Sequence, residues 1–544
     1  MPTIKYADYT NGDDNTGDGT TGTPYKTIDK ASTGLTGGDE VRVAKSADPT
    51  ALTGTIAFTA GSTAITGTDT LFTSELAVGD FVKGGDDQWY EVVTITNNTN
   101  AVLFRVYPST TAGTVSSYKL GVTSTGEAAA AATAIQTISA SGSSAESRLK
   151  ISGGWDLTGP TQDGQTYFRQ MHGTFSNRYG RGLYSSSKNY IEIDHLHFLR
   201  YDNCIYMSSN NYCKITSPNL LSAGDEAWYM TTCNNNEIIS PVVNSSNNNG
   251  IYMTGCKFNT ITDPICNANN GPSIYIFNAS TSNTITNPTC NYNDETGIYI
   301  YSSANCTITT PTCNNNTNGN GIYVRNSNNC LITSPVCNNN QYVGLYLYQS
   351  SDNTTITSPT LNSNNQGLSC SGSYNNVANN LLASGNSNAD VVVSDAKEYG
   401  DYPALKCQKF GQTTGDNRCY YEYGVTYRDT ADARSTQCLK YDPTSATDYI
   451  SQSFFFKADS GVAQTLSAYI KKEAAFNGDV QGAIFFMGVK ITGWTTLTPT
   501  ENDTYEQKSL VAAAGDITED GVLELRIKVR GTAGNVFVDD LATA

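Results

Sequence analysis

The chain has 544 residues, of which only 15% are charged, and a net charge of −17. That length accommodates several hydrophobic cores. The acidic balance excludes binding nucleic acid through its phosphates, or an anionic membrane through a basic patch, and no run of about 18 apolar residues offers a membrane-spanning helix.

Residues 1–51 contain Gly22-Thr23-Pro24-Tyr25-Lys26-Thr27-Ile28 and then Gly38-Asp39-Glu40-Val41-Arg42-Val43. This order resembles the opening coil of pectate-lyase-like β-helix proteins, including bacteriophage tailspikes. The resemblance implies an N-terminal cap and first coil. Residues 52–123 change character, with Gly54-Thr55-Ile56-Ala57-Phe58, Leu76-Ala77-Val78-Gly79-Asp80-Phe81 and Trp89-Tyr90-Glu91-Val92-Val93. They look like a small β-barrel module common in phage tail proteins, inserted at the start of the helix.

Residues 124–390 are read as a parallel β-helix, with regular coils over 203–370. Prolines recur every 23 or 24 residues, at Pro218, Pro241, Pro264, Pro288, Pro311, Pro335 and Pro359, and each follows an isoleucine by three residues. A fixed period of this length means a solenoid. One unit reads Gly297-Ile298-Tyr299-Ile300, Cys306-Thr307-Ile308-Thr309 and Pro311-Thr312-Cys313-Asn314. These short β-branched and aromatic runs, split by Asn, Ser and Gly, are strand grammar. Proline recurs too often for helices. Alternation along a strand predicts Ile215, Ile238, Ile261, Ile285, Ile308, Ile332 and Ile356 inside. The position three after each proline holds Asn244, Asn267, Asn291, Asn314, Asn338 and Asn362, an expected asparagine ladder at a corner.

The tyrosines Tyr206, Tyr229, Tyr252, Tyr275, Tyr299, Tyr323 and Tyr346 share one outward position on consecutive coils. At about 4.8 Å per coil they would form a stripe of roughly 29 Å. Such a stripe can stack on itself, contact another subunit or bind sugar faces. Eleven of the 14 cysteines lie in the solenoid, in columns shared with Leu, Val, Ala and Ser. They are expected to be packed free thiols.

Just before the regular coils comes Asn189-Tyr190-Ile191-Glu192-Ile193-Asp194-His195-Leu196-His197-Phe198. This resembles a signature coil of the same superfamily, in which glycine usually stands where His195 is. Together with Arg200 and Asp202 it gathers two of the three histidines with acids on neighbouring outward positions. If the protein is an enzyme, Glu192, Asp194 and His197 are its candidate catalytic residues. Two further acidic pairs, Asp225-Glu226 and Asp294-Glu295, lie three coils apart. That is roughly 14 Å along the axis, beyond the 5–9.5 Å or so of a glycosidase carboxylate pair.

Residues 391–544 lose the repeat and show longer alternating strands such as 464–470 and 523–529. They resemble a jelly-roll β-sandwich of the carbohydrate-binding-module type. That resemblance implies a structural calcium near the last strand, with Asp539 and Asp540 as ligands; no cofactor is otherwise required.

The expected fold class is therefore all-β: a right-handed parallel β-helix with an inserted barrel and a C-terminal β-sandwich. The N-terminus has no signal-peptide core, yet a polar, Asn- and Tyr-rich solenoid suits an exposed surface. A virion protein made in the host cytoplasm resolves this. The resemblances imply a tailspike or tail-fibre-like homotrimer that meets host-surface polysaccharide and other virion proteins. The alternatives are a polysaccharide depolymerase, hydrolase or lyase, on the same scaffold, and a purely structural decoration of capsid or tail.

Overall fold

The computed structural model describes residues 2–109, 113–125, 134–170 and 180–394 (apart from 372, 374, 375, 380 and 388). Beyond these it describes 405–407, 420–421, 428–429, 438–441, 450–458, 461–486, 489–518, 521–534 and 536–543. Two compact units, residues 1–321 and 322–544, are taken in turn.

In the first unit three parallel sheets run along the coils. The first contains Glu40–Ala44, Leu149–Asp156, Ile191–Asp194, Lys214–Thr216, Glu237–Ile239, Thr260–Thr262, Thr284–Thr286 and Thr307–Thr309, in that spatial order. The second contains Arg181–Ser186, Asn203–Ser208, Trp228–Thr231, Ile251–Thr254, Ile274–Phe277 and Ile298–Tyr301. The third contains Thr166–Gln170, Leu196–Leu199, Asn219–Leu221 and Val242–Asn244. Each strand pairs with the strand one coil away, so the sequence period becomes a vertical register. Ile193, Ile215, Ile238, Ile261, Ile285 and Ile308 are aligned and buried.

The corners explain the composition. Ser217, Ser240, Asp263, Asn287 and Thr310 each precede a proline and have φ between 48° and 53°. Short polar side chains tolerate this left-handed backbone better than bulky ones. The proline carbonyls still serve the stack: Val242 N–H donates to Pro218 at 2.9 Å and Thr289 N–H to Pro264 at 2.8 Å. His195 is also left-handed, with φ of 53°, a conformation that glycine adopts without penalty.

The corner asparagines form the expected ladder through the main chain. The Asn244, Asn267 and Asn291 side-chain carbonyls each accept the N–H of the next asparagine at 2.8 Å. Two deeper ladders were not expected from the columns. Asn236, Asn259 and Asn283 join amide to amide at 2.9–3.0 Å, and Asn293 joins Asn316 at 3.0 Å. Most of these groups are almost fully buried, so the ladders satisfy amides that would otherwise be costly inside. The eleven solenoid cysteines are buried free thiols.

Residues 50–119 form a closed antiparallel barrel of strands Thr50–Phe58, Ala64–Thr68, Asn100–Leu103, Trp89–Asn97, Phe81–Lys83 and Gly113–Lys119. Its core gathers Ile56, Phe58, Phe72, Tyr90 and Tyr107. The barrel docks on the third sheet through Phe81, Leu120, Leu199 and Leu221. A buried ion pair adds to the joint, with Arg200 Nε 3.2 Å from Glu91 Oε1. Arg169 meets Asp80 at 2.9 Å.

In the second unit the same grammar continues. Ile332 aligns with Ile356, and Tyr323 with Tyr346. Asn340 and Asn364 repeat the amide ladder at 3.0 Å. The C-terminal part holds two antiparallel sheets. One centres on Ile450–Ala458, Gly521–Arg530 and Asp479–Phe486, the other on Val536–Thr543, Gln464–Lys472 and Glu506–Ala512. Leu466, Ile470, Val480, Ile484, Leu525 and Ile527 are among the residues packed between them.

Candidate functional site

The outward face of the second sheet carries the chemistry. Alternation puts Ile251 and Met253 inside and leaves Tyr252 half-buried outside, and the neighbouring strands follow suit. Tyr206, Tyr229, Tyr252, Tyr275 and Tyr299 are in register. Tyr206 stacks on Tyr229, and Tyr275 on Tyr299, at 4.7 Å, while Tyr252 meets Tyr275 edge-on at 5.4 Å. Tyr323 and Tyr346 stack at 5.0 Å within the second unit. Three further aromatic members join the expected column. Tyr184 extends it upward, 5.7 Å from Tyr206. Phe277 and Tyr301, two residues further along their strands, widen it beside Tyr275 and Tyr299. The same alternation that picks out Tyr275 and Tyr299 also selects these two positions.

At one end of this face stands a cation. The Arg181 guanidinium lies 3.5 Å above the Tyr206 ring centroid and 5.0 Å from that of Tyr184. Beside it, on the turns leading into the strands, are Asp202, Asp225 and Glu226. Asp225 N–H donates to the Asp202 carbonyl at 2.9 Å, which fixes the two turns one above the other. Glu226 is 9% exposed. Its carboxylate accepts from Asn203, Asn248 and Asn249 at 3.3–3.4 Å. Burial and the adjoining Asp225 raise its carboxyl to about 7. Burial, then Asp225, raises Asp202 to about 6, with Arg181 opposing. Burial likewise pushes the Tyr229 phenol up to about 12, with its neighbouring rings adding to the shift. Arg105, from the inserted barrel, reaches the same side: it donates to Asn247 at 2.8 Å and lies 4.0 Å from Asp294.

The raised carboxyls of Glu226 and Asp202, each beside Asp225 and near the aromatic face, are candidates for acid–base chemistry. Similar places in the repeat pair Glu226 with Glu295, three coils away; in the structure Glu226 adjoins Asp225, whose charge also bears on Asp202 one coil up. The 23-residue offset between Asp202 and Asp225 is the repeat period itself.

The signature coil is arranged differently from the expected shared outward face. Glu192 and Asp194 lie on the first sheet and His197 on the third, separated by the corner at His195. Asp194 is held by Lys150 at 3.3 Å, His195 at 3.0 Å and Gln162 at 3.0 Å. Glu192 is aligned with Lys150 and Lys214. His197 is 3% exposed and stacks on Tyr167 at 4.3 Å. Its Nε2–H donates to Gln165 at 2.7 Å, and its Nδ1 accepts the Asn219 N–H at 2.9 Å. Burial drives its imidazole down to about 3, so it is neutral. These three residues do not meet at one open site.

The candidate calcium ligands Asp539 and Asp540 have side chains outside the described residues. Among the described residues no group of three or more His, Cys, Asp or Glu is placed to hold a metal.

The raised carboxyls have a consequence for stability. Their folded pKa values exceed the unfolded ones, so between about pH 4.5 and 7 for Glu226, and about 3.8 and 6 for Asp202, the folded chain holds protons that the unfolded chain has released. Their stabilising effect is present at acid pH and is lost as pH rises through about 6 for Asp202 and about 7 for Glu226. For Glu226 the loss is on the order of 2–3 kcal/mol. Denaturant midpoints at pH 5 and pH 8 should therefore differ less in Glu226→Gln than in the wild type.

Compared with known proteins, residues 269–402 match the family described as right-handed β-helix region. No curated protein matches. Among solved structures the chain is similar to the A-module of mannuronan C-5 epimerase AlgE4 of Azotobacter vinelandii (10% identity, 55% of this chain and 85% of that one, TM-score 0.42). It is also similar to pectate lyase Pel9A (12%, 72% and 79%, 0.39) and to ORF18 of Geobacillus virus E2 (10%, 74% and 66%, 0.40). The chain's own strand order and the family match make it all-β and built on a right-handed parallel β-helix.

Proposed function

We propose that this protein is a phage virion component, tailspike- or tail-fibre-like, that holds a host-surface polysaccharide along the aromatic face of its second sheet. The observation that carries the reading is the run of half-buried rings from Tyr184 to Tyr301. Such a face is too large to be left to solvent without a purpose, and flat rings with polar tips suit sugar faces. The virion assignment rests on the tail-module resemblances of the N-terminal 123 residues. It brings with it a homotrimer and contacts with other virion proteins.

A second reading is favoured by Glu226 and Asp202. A carboxyl protonated near neutrality can act as a general acid on a glycosidic oxygen, with an ionised neighbour as base or nucleophile. On that reading the same face delivers the polymer to a cleaving group at its Arg181 end.

Replacing Tyr252, Tyr275 and Tyr299 together with Ser should weaken polysaccharide binding at least tenfold, since each ring contributes about 0.5–1.5 kcal/mol. Co-sedimentation with host-surface polysaccharide measures this, and light scattering reports whether the trimer also dissociates. Undiminished binding and assembly would sink the reading. Shortening of the polymer by the wild type, abolished in Glu226→Gln with binding intact, would replace attachment with cleavage.

A further inference from the structure

A second aromatic feature lies away from this face, at the corner that leads into the first sheet. One corner column reads Tyr190, Tyr212, Asn235, Phe258, Ser282 and Asn305, and every member has φ between 54° and 60°. The column is real in space: Tyr190 N–H donates to the Asn211 carbonyl, Tyr212 N–H to Asn234 and Asn235 N–H to Lys257, at 3.0–3.1 Å. Asparagine and serine suit this left-handed backbone, whereas Tyr and Phe are disfavoured there. Three of the six positions nonetheless carry rings.

Burial does not offset that penalty. Tyr212 is 44% exposed and Phe258 is 59% exposed, among the most exposed large apolar side chains of the described residues. Tyr190 and Tyr212 stack face to face, with centroids 5.0 Å apart and planes 10° apart. Phe258 follows two coils below Tyr212, roughly 10 Å along the axis. The stack returns something to Tyr190 and Tyr212, whereas Phe258 holds the strained conformation at 59% exposure, and such a position invites a functional reading.

The surroundings carry both charges: Glu192 and Glu237 lie within two residues of Tyr190 and Asn235, and Glu237 meets Lys214 at 3.6 Å, which leaves the lysines at the ends as the unmatched charges. Lys188 and Lys257 stand within two residues of the two ends of the ledge. Lys188 Nζ donates to the Ser139 carbonyl at 2.8 Å. Lys257 is exposed, and neither lysine is ion-paired with a described residue. The main chain between them is closed off: the Asn189, Asn211 and Asn234 side chains each accept the N–H one coil on, at 2.9 Å. The Ser209 and Thr232 hydroxyls are also engaged, with each other at 2.9 Å and with the Thr231 carbonyl at 2.8 Å, so what remains for a ligand is ring faces and positive charge.

We infer that Tyr190, Tyr212 and Phe258, flanked by Lys188 and Lys257, form a second binding ledge for an anionic polysaccharide. Sugar rings would lie on the aromatic faces and carboxylates against the ammonium groups. This rests on the glycan-binding reading above and adds to it a separate subsite and the charge of its ligand. A neutral polymer would gain nothing from the lysines.

The test uses the full chain with two probes, polygalacturonate and dextran, in affinity electrophoresis at low and moderate salt. The wild type should bind polygalacturonate more tightly than dextran. Tyr212→Asn with Phe258→Asn places the column's own preferred residue at both positions. It should reduce polygalacturonate affinity at least tenfold without lowering the melting temperature. Lys257→Gln should keep some binding but flatten its salt dependence. Unchanged affinity in the double variant overturns the inference, and so does a wild type that binds dextran but not polygalacturonate; in both cases the glycan-binding reading stands. If the Tyr252, Tyr275 and Tyr299 triple variant alone removes all binding, the ledge is likewise excluded. A double variant that changes only the oligomeric mass would instead make this corner a contact between copies. Failure of the wild type to bind any polysaccharide removes both readings.

Discussion

Ile308→Asp is expected to prevent the first unit from folding to a soluble state. Ile308 is fully buried and aligned with Ile285 in the innermost column of the first sheet. The substitution forfeits about 1.5–3 kcal/mol of side-chain burial and places a carboxylate where no donor can reach it, at a cost of several kcal/mol more. The stack offers little relief, because each coil is held in register by bonds such as Thr307 N–H to Asn283 at 2.9 Å. Ile308→Val is the control and should cost only about 0.5–1.5 kcal/mol. Soluble expression and denaturant midpoints compare the two. An Asp variant as stable as the Val variant would mean that this column does not face the core.

The difference between what the sequence discloses and what it hides follows from how a coil is built. Positions that recur every 23 or 24 residues become columns, so the isoleucines, the outward tyrosines and the corner asparagines are legible from spacing alone. The Asp202, Asp225 and Glu226 group obeys the same period, but it involves only two consecutive coils and sits in turns. No long column draws attention to it, and its raised carboxyls arise from burial, which spacing does not reveal. The corner rings are hidden for the opposite reason. Tyr190, Tyr212 and Phe258 share their column with Asn and Ser, and only the backbone angle shows that the aromatics are the anomaly there. His197 illustrates a third limit. Its strand position is outward, yet Tyr167 lies flat on it, and the barrel docks on the same sheet. The docking of Phe81 and Leu120 on Leu199 and Leu221 joins segments about a hundred residues apart and leaves no periodic trace.

The barrel joint supplies the other large effect. Glu91→Ala should destabilise the first unit by about 3–5 kcal/mol, because it removes the carboxylate that meets the buried Arg200 guanidinium. The pair lies 3.2 Å apart, with side-chain exposures of 0% for Glu91 and 8% for Arg200. Gly79 packs so closely on the guanidinium that a Cβ there would come within 2.4 Å of it. Arg200 fills the space that a side chain at position 79 would take, and it cannot shed its charge, since a guanidinium stays protonated. The expected result is a lower denaturant midpoint and faster proteolysis at the joint between barrel and coils. Removing both charges, as in Glu91→Leu with Arg200→Met, should recover much of the loss, because two apolar side chains of similar volume need no counter-charge. A double variant as unstable as Glu91→Ala would indicate that the pair positions the barrel by its geometry. A single variant with wild-type stability would mean that the apolar contacts of Phe81, Leu120, Leu199 and Leu221 and the Arg169–Asp80 pair hold the barrel without this pair.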